Sequence, residues 1–258
     1  MTDYLPGAEP LFIEGDTSGC LILHGAGGGS AWDQKEFSNI LHKQTGMTVW
    51  LPSLTGFGTK PEDLLDVSLE DWLADAHLGL DRLLGTCQQI FIVGHSMGGV
   101  LALLTASERR EVSGVVTWAA PYTVKSRLLP LLPAINKIPL IKRAIPERHG
   151  SMAPKWLLDA GWVGYEWIPT SIGLIAHDAL KRLKKALSDV TCPAFIVQGT
   201  DDDGVSRDSA KRIFQSLASG RKDVYMVDGA PHAIMSHNKY KDALFTRTIE
   251  FLQDIRMR

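Results

Sequence analysis

The segment Gly94-His95-Ser96-Met97-Gly98 directly follows the apolar run 89–93 and precedes a long stretch rich in alanine and leucine. This order predicts a strand, a sharp turn and a helix, with Ser96 at the apex of the turn. Such a turn crowds the positions two residues before and two residues after the serine, and glycine at both positions removes the collision. The hydroxyl of Ser96 should therefore project above the edge of a sheet, as a candidate nucleophile for attack on an acyl carbon.

The composition favours a globular enzyme and argues against a nucleic-acid-binding protein. The chain of 258 residues is long enough to bury a large core, and its 45% hydrophobic and 22% charged residues are typical of soluble domains. The formal net charge is −2, so the chain has no basic surplus with which to neutralise phosphates. The one basic cluster, residues 181–185, has the pattern of a solvated helix face.

Cysteine usage and the apolar runs favour a cytoplasmic location. Cys20, Cys87 and Cys192 are too few for a disulfide framework, and two of them border strand-like runs where a free thiol packs as a small hydrophobe. The first residues lack the basic and apolar regions of a secretory signal, and no apolar run has the length of a membrane span. We therefore expect a cytoplasmic protein without integral membrane association, either a monomer or a homodimer.

Short apolar runs alternate with longer helical patterns along most of the chain, which is typical of an α/β fold with a mostly parallel sheet. Several of these runs are apolar at successive positions, as expected for strands that helices cover on both faces. The predicted strands are 11–14, 20–23, 48–51, 90–93, 115–118, 194–198 and 224–227. The predicted helices are 31–41, 68–84, 97–107, 207–219 and 238–254, and Ser68 with Asp71 has the spacing of a capping box at the start of the second.

The region 122–189 interrupts this alternation, so we predict an inserted lid there, with 1–121 and 190–258 forming one core domain. Its helices should be short and interrupted, because prolines recur at Pro130, Pro133, Pro139, Pro146, Pro154 and Pro169. Aromatic side chains are also concentrated in its second half. Trp156, Trp162 and Trp167 are candidate contacts for an apolar acyl group, and packing within the lid is the alternative.

Ser96 needs a base, because a free hydroxyl is almost fully protonated near neutral pH. In Gly229-Ala230-Pro231-His232, the histidine follows the last predicted strand and precedes the last helix, where the chain order Ser, Asp, His places the base. His237 lies nearby and is the alternative candidate. His95 should instead pack beneath the turn, because the ring of the residue before the nucleophile points away from the hydroxyl.

The acid that orients this histidine should follow the strand 194–198. Three adjacent carboxylates, Asp201, Asp202 and Asp203, stand there. A Gly-x-x-Asp-x-x-Val pattern beginning at Gly199 and ending at Val205 selects Asp202. Such a carboxylate fixes the imidazole tautomer and stabilises the imidazolium formed during attack. The other two carboxylates then have the pattern of turn residues.

The glycine-rich segment 23–29, which follows the strand 20–23, is the candidate oxyanion loop. Its donors should be the backbone N–H groups of Ala26 and of Met97, the residue after the nucleophile. Phosphate binding is the alternative for a glycine-rich loop after a strand. The segment lacks the Gly-Lys-Ser/Thr ending of a P-loop, which argues against that alternative. His24 should hold the loop through hydrogen bonds.

Four motifs in this order make the chain resemble the α/β-hydrolase superfamily: Leu23-His24-Gly25, Gly94-His95-Ser96-Met97-Gly98-Gly99, Gly199-Thr200-Asp201-Asp202 and Gly229-Ala230-Pro231-His232. Within it, the chain is similar to small bacterial carboxylesterases and monoacylglycerol lipases. The resemblance implies an α/β-hydrolase fold with an inserted helical lid. It also implies an ester hydrolase with Ser96, Asp202 and His232 as catalytic triad and no metal or organic cofactor. Ala26 stands where relatives often carry a bulky aromatic residue, which should open the acyl pocket.

The apolar composition of the predicted lid favours esters with a short to medium acyl chain, or monoacylglycerols, as substrates. The same machinery also serves thioesterases, amidases, carbon–carbon bond hydrolases and cofactor-free perhydrolases, because one fold hosts many reactions. A hydrolase-like binding protein without activity is an alternative from a different class. The intact serine, histidine and acid argue against it, because binding alone needs no such set.

Overall fold

A seven-stranded sheet is the centre of the molecule, in a computed structural model that describes residues 2–125, 133, 148–150 and 153–257. The strands are β1 (Leu11–Ile13), β2 (Ser18–Leu23), β3 (Thr48–Leu51), β4 (Gln89–His95), β5 (Val112–Trp118), β6 (Arg148–Gly150), β7 (Trp167–Pro169), β8 (Ala194–Gly199) and β9 (Lys222–Val227). Their order in the main sheet is β1-β3-β2-β4-β5-β8-β9, and β6 pairs with β7 separately. In the main sheet β1 is antiparallel to β3, and the other pairings are parallel.

Helices follow most of the parallel strands, as the alternation in the sequence predicts. They are α1 (Trp32–Thr45), α2 (Leu69–Leu84), α3 (Met97–Glu108), α4 (Lys155–Asp159), α5 (Ser171–Ala186), α6 (Ser209–Ser216) and α7 (Lys241–Arg256). The predicted capping box opens α2: the Ser68 hydroxyl accepts from the Asp71 amide, and the Ser68 amide donates to the Asp71 carboxylate at 2.8 Å. Among the described helices, none is long and apolar enough to cross a membrane.

The successive apolar residues of the strands divide between two buried layers, one on each face of the sheet. Leu21 and Ile92 pack with residues of α2, α3, α5 and α6. Their neighbours Ile22 and Val93 pack on the opposite face with residues of α1 and α7. Because side chains alternate between the faces of a strand, a strand covered on both sides must be apolar at every position. The predicted α/β architecture is therefore confirmed.

Several predicted boundaries differ from the structure. Helix α1 continues to Thr45 and ends at Gly46, whose φ of +73° suits glycine. Strand β4 extends to His95, because its pairing with β5 continues to Trp118. Two helices instead begin later than predicted. The helix predicted over 207–219 covers only Ser209–Ser216 (α6), and the helix predicted over 238–254 begins at Lys241.

The prediction of short, interrupted helices across 122–189 is wrong for α5, which has 16 residues. The prolines at 154 and 169 precede helices and do not interrupt them, so the density of prolines does not indicate the length of the helices there. The apolar residues Ile175, Ala179 and Leu183 of α5 are buried in the same core layer as α3. Residues 126–132, 134–147 and 151–152, with Pro130, Pro139 and Pro146, lie outside the described residues. The division into a core and one inserted lid stays a prediction.

Candidate active site

Ser96 occupies a strained turn between β4 and α3. Its φ of 53° and ψ of −119° lie in a region that residues other than glycine rarely adopt. The turn is held because the Ser96 amide donates to the Trp118 carbonyl at 2.8 Å, which extends the β4–β5 pairing by one bond. The serine side chain is thereby raised above the carboxyl end of β4, where ligands of parallel sheets bind.

The two glycines that flank the turn have no room for a side chain. A Cβ atom at Gly94 would lie 2.2 Å from the Gly98 carbonyl oxygen. A Cβ atom at Gly98 would lie 2.1 Å from the carbonyl oxygen of Leu23, in the neighbouring strand β2. Backbone atoms on both sides cannot move aside cheaply, so the turn requires glycine at both positions.

Three side chains that are distant in sequence meet at this edge of the sheet. Nε2 of His232 lies 3.0 Å from Oγ of Ser96, and Nδ1 of the same ring lies 2.8 Å from Oδ2 of Asp202. A carboxylate can only accept, so Nδ1 carries the hydrogen and Nε2 is left as an acceptor for the serine hydroxyl. The arrangement can therefore remove a proton from Ser96.

Asp202 is the one of the three adjacent carboxylates that the structure places against His232. Its residue exposure is only 1%, whereas Asp201 and Asp203 are exposed. Its second oxygen accepts from the amides of Gly204 and Val205 at 2.9 and 2.8 Å. Burial by itself raises the pKa of Asp202, but the hydrogen bond from His232 and these amides outweigh it, so the pKa lies below its ordinary value. The group is therefore an anion at neutral pH.

The loops that carry the acid and the histidine are bonded to each other. The Thr200 amide donates to the Val227 carbonyl at 3.0 Å, and the Asp201 amide donates to the Ala230 carbonyl at 3.1 Å. In return the Gly229 amide donates to the Thr200 hydroxyl at 2.8 Å. These bonds fix the separation of the acid and the base. The ring of His237, the alternative candidate for the base, packs against that of Trp156, with 5.1 Å between the ring centroids.

The two predicted oxyanion donors belong to segments that adjoin Ser96. Met97 is the first residue of α3, where amides have no acceptor within the helix and the helix dipole is positive. Ala26 follows Gly25, whose Cα packs so closely that an added Cβ would lie 3.2 Å from Cβ of Ser96. Both positions are therefore consistent with backbone donors that face a carbonyl oxygen bound at Ser96.

A comparison with known protein families gives the site its context. The profile described as "Alpha/beta hydrolase family" matches residues 20–240 of this chain. The chain belongs to the alpha/beta hydrolase family. The matched range contains the strands from β3 to β9, most of β2, the turn at Ser96 and the loops of Asp202 and His232.

Similar proteins within this family are esterases and lipases by name. A thermostable monoacylglycerol lipase from Bacillus sp. (strain H-257) is 29% identical over 256 residues, covering 96% of this chain and 95% of the relative. A carboxylesterase from Bacillus subtilis (strain 168) is 23% identical, covering 96% and 97%. A solved structure from work on the metagenome-derived lipolytic enzymes LipS and LipT is 27% identical, with a TM-score of 0.84, covering 99% of this chain and 100% of that chain. A monoacylglycerol lipase from Paleococcus ferrophilus has a TM-score of 0.78 at 19% identity, covering 95% and 98%, and shares the fold.

Two further histidines of this alpha/beta hydrolase are buried and neutral. The amide of Leu54 donates to Nε2 of His24 at 3.0 Å, and Nδ1 of His24 lies 2.8 Å from the Gly25 carbonyl. Burial lowers the pKa of His24 to about 4 and that of His95 to about 3. His24 therefore ties the candidate oxyanion loop to the loop after β3 through hydrogen bonds, as the sequence predicts.

Sequence reasoning missed two contacts that hold the acid and the base. Nε2 of His95 lies 3.1 Å from the backbone carbonyl of His232, so this buried ring donates to the loop of the base. The ammonium of Lys125 donates to the Asp202 carbonyl, and the Lys125 amide donates to the Gly204 carbonyl at 3.0 Å. Spacing in the sequence gave no signal for either contact, because each joins residues more than 70 positions apart.

The three tryptophans predicted to contact the acyl group have different neighbours. Trp162 donates from Nε1 to Oδ1 of Asp33 at 2.7 Å. The guanidinium of Arg148 lies 4.1 Å from the ring centroid of Trp167, and Trp156 packs edge-on against His237. Their predicted contact with the substrate stays a prediction. Among the described residues, no group of three or more His, Cys, Asp or Glu side chains is arranged to hold a metal ion.

We predict that Gly98→Ala destabilises the protein by roughly 3 kcal/mol or more, because the added methyl group meets the backbone of β2. In a chain of this size, that loss lowers the melting temperature by about 6–12 °C. Differential scanning calorimetry measures it. Gly220→Ala is the control, since an added Cβ there meets nothing within 4 Å. Equal melting temperatures for the two variants would contradict the crowded turn.

Proposed function

We propose that the protein is a serine hydrolase of carboxylic esters, with Ser96 as nucleophile, His232 as general base and Asp202 as the orienting acid. The observation that carries this proposal is the unbroken line of hydrogen-bonding distances, 3.0 Å from Ser96 to His232 and 2.8 Å from His232 to Asp202. The esterase and lipase names of the relatives support the reaction class.

In the first half of the reaction, Nε2 of His232 takes the proton of Ser96 as Oγ attacks the ester carbon. The carbonyl oxygen becomes an oxyanion and accepts from the amides of Ala26 and Met97. Each such donor is worth a factor of about 100 to 1000 in turnover. The positive charge that forms on His232 is balanced by Asp202, which is already ionised and oriented.

In the second half, the imidazolium returns its proton to the departing alcohol, and the carbon–oxygen bond breaks to leave an acyl-serine. A water molecule then gives its proton to His232 and attacks the acyl carbon. Ser96 leaves with that proton, and the acid product departs. The line of three side chains thus serves both halves without any other proton acceptor.

For the substrate, we propose esters with a short to medium apolar acyl chain, including monoacylglycerols. Two relatives bear the names monoacylglycerol lipase and carboxylesterase, and they match along nearly their whole length. The small side chain of Ala26, in the candidate oxyanion loop, is proposed to leave room for the acyl chain. The three cysteines are unpaired, which supports a reducing, cytoplasmic location.

We expect Asp202→Asn to lower kcat for p-nitrophenyl butyrate by about 10⁴, because an amide in that place favours the wrong imidazole tautomer. Asp201→Asn and Asp203→Asn are matched controls with the same chemical change, and they should stay within about twofold, as surface substitutions usually do. Ser96→Ala sets the background rate. Steady-state kinetics on the four variants measure these changes in kcat. Similar losses in all three aspartate variants would contradict the assignment of Asp202 as the orienting acid.

The acyl-chain dependence of kcat/KM tests the proposed substrate class. Each additional methylene that enters an apolar site contributes about 0.8 kcal/mol, which is roughly a fourfold gain. We therefore expect kcat/KM to rise from p-nitrophenyl acetate through medium-chain esters and then to level off. A flat profile, or a preference for charged or sugar-bearing acyl groups, would argue against an apolar acyl site.

A further inference from the structure

Residues 162–165, here called the anchor segment, are bonded directly to the candidate oxyanion loop, residues 23–29, and to Ser30, which follows it. The amide of Tyr165 donates to the Gly28 carbonyl at 2.8 Å. The hydroxyl of Ser30 donates to the Val163 carbonyl at 2.8 Å. These two bonds join stretches of chain that are more than 130 residues apart.

A third bond joins the anchor segment to Asp33, near the start of the helix that follows the loop. Nε1 of Trp162 donates to Oδ1 of Asp33 at 2.7 Å, and Asp33 lies in the first turn of α1. The other carboxylate oxygen of Asp33 packs against the loop itself, since a Cβ added at Gly29 would lie 2.0 Å from it. Asp33 therefore contacts the loop on one side and the anchor segment on the other.

The fit between the two segments leaves no free space. A Cβ added at Gly164 would lie 2.3 Å from the Trp162 ring and 2.5 Å from the Gly28 carbonyl oxygen. Asp33 and Trp162 are both half-buried, and this burial raises the pKa of the Asp33 carboxyl to about 7 even though the hydrogen bond from Trp162 lowers it.

The anchor segment is also fixed on its far side. The hydroxyl of Tyr165 donates to the Gly56 carbonyl and accepts from the Thr59 amide, both at 2.8 Å. Its ring stacks on Phe57, with 6.1 Å between the centroids and 12° between the planes. A segment held in this way on two sides can restrain a flexible neighbour.

The candidate oxyanion loop needs such a restraint, because its own sequence does little to fix the conformation of its backbone. It contains three consecutive glycines, Gly27, Gly28 and Gly29, and Gly28 has a φ of +102°. Glycine has the largest backbone freedom of any residue, so fixing this stretch costs more conformational entropy than fixing other residues. An oxyanion donor lowers the barrier only if it is already aimed before the reaction begins.

We infer that Trp162 and Asp33 are positioning residues that aim the Ala26 amide by clamping the anchor segment onto the oxyanion loop. Trp162 thus acts on the transition state through Asp33 and the loop, and not as a wall for the acyl chain. The inference rests on the proposed ester hydrolysis, in which Ala26 donates to the oxyanion.

The test compares four purified variants with the wild-type protein. Trp162→Phe removes the indole donor and keeps an aromatic ring, and Asp33→Ala removes the acceptor. Asp33→Asn keeps an oxygen acceptor and removes only the charge. Thr248→Val is the matched control, because it takes away the acceptor of the buried indole of Trp118, bonded at 3.1 Å to the Thr248 hydroxyl on α7.

We expect Trp162→Phe and Asp33→Ala to lower kcat by about 10- to 100-fold, less than the full loss of a donor. KM should change by less than about threefold, and affinity for a trifluoromethyl ketone, whose adduct carries an oxyanion, should fall with kcat/KM. Asp33→Asn should retain kcat within about threefold of the wild type, since its oxygen still accepts. Thr248→Val should lower the melting temperature without changing kcat.

Three outcomes would overturn the inference. A rise in KM that depends on acyl length, with kcat unchanged, would make Trp162 a substrate wall. A lower melting temperature with unchanged kcat would make the clamp merely structural. A loss in Asp33→Asn as large as in Asp33→Ala would show that charge, and not the bond, matters.

Hydrogen exchange gives a readout that does not need activity. In Trp162→Phe, the amides of Gly27 to Gly29 should exchange faster than in the wild type, and unchanged exchange would overturn the clamp even if esters were not substrates. An inactive wild-type protein with faster exchange in the variant would instead reject the proposed function alone. If Trp162→Phe fails to fold, Ser30→Ala, which removes the bond to Val163, carries both measurements.

Discussion

The hydrogen bond between His232 and the buried carboxylate of Asp202 is the interaction on which the candidate site depends. Two backbone amides and the imidazole together keep this carboxylate ionised in a place where burial alone would favour its neutral form. An ionised Asp202 forces the hydrogen onto Nδ1, and only then is Nε2 free to accept the proton of Ser96. Without this bond Ser96 and His232 would still be neighbours, but the imidazole would present the wrong nitrogen to the serine hydroxyl.

The fold brings these three residues together through the order of its parallel strands. Ser96 follows β4, Asp202 lies three residues beyond β8, and His232 follows β9, so all three lie at the carboxyl edge of one sheet. Hydrogen bonds between the loop of Asp202 and the loop of His232 then fix the positions of these two residues relative to each other. The strain at Ser96 is tolerated because a core layer on each face of the sheet holds the flanking strand and helix.

Much of this arrangement was predictable from local sequence. Uniformly apolar runs marked strands covered on both faces, the glycines around Ser96 marked the turn, and the spacing after Gly199 singled out Asp202. Contacts between distant segments were not predictable, because nothing in the sequence around Trp162 indicates that Asp33 is its partner, and nothing around Lys125 indicates the Asp202 carbonyl. The proline density of 122–189 favours short helices and obscures α5, although the buried residues of α5 have helical spacing.

The most direct test of the central claim is covalent labelling with a fluorophosphonate, followed by peptide mapping with mass spectrometry. Only a serine whose proton is taken by a neighbouring base reacts quickly with such a probe. The account predicts one adduct per folded chain, located on Ser96, with labelling lost when the protein is unfolded in urea or when His232 is replaced by alanine. An unlabelled folded protein, or an adduct on any other residue, would contradict it.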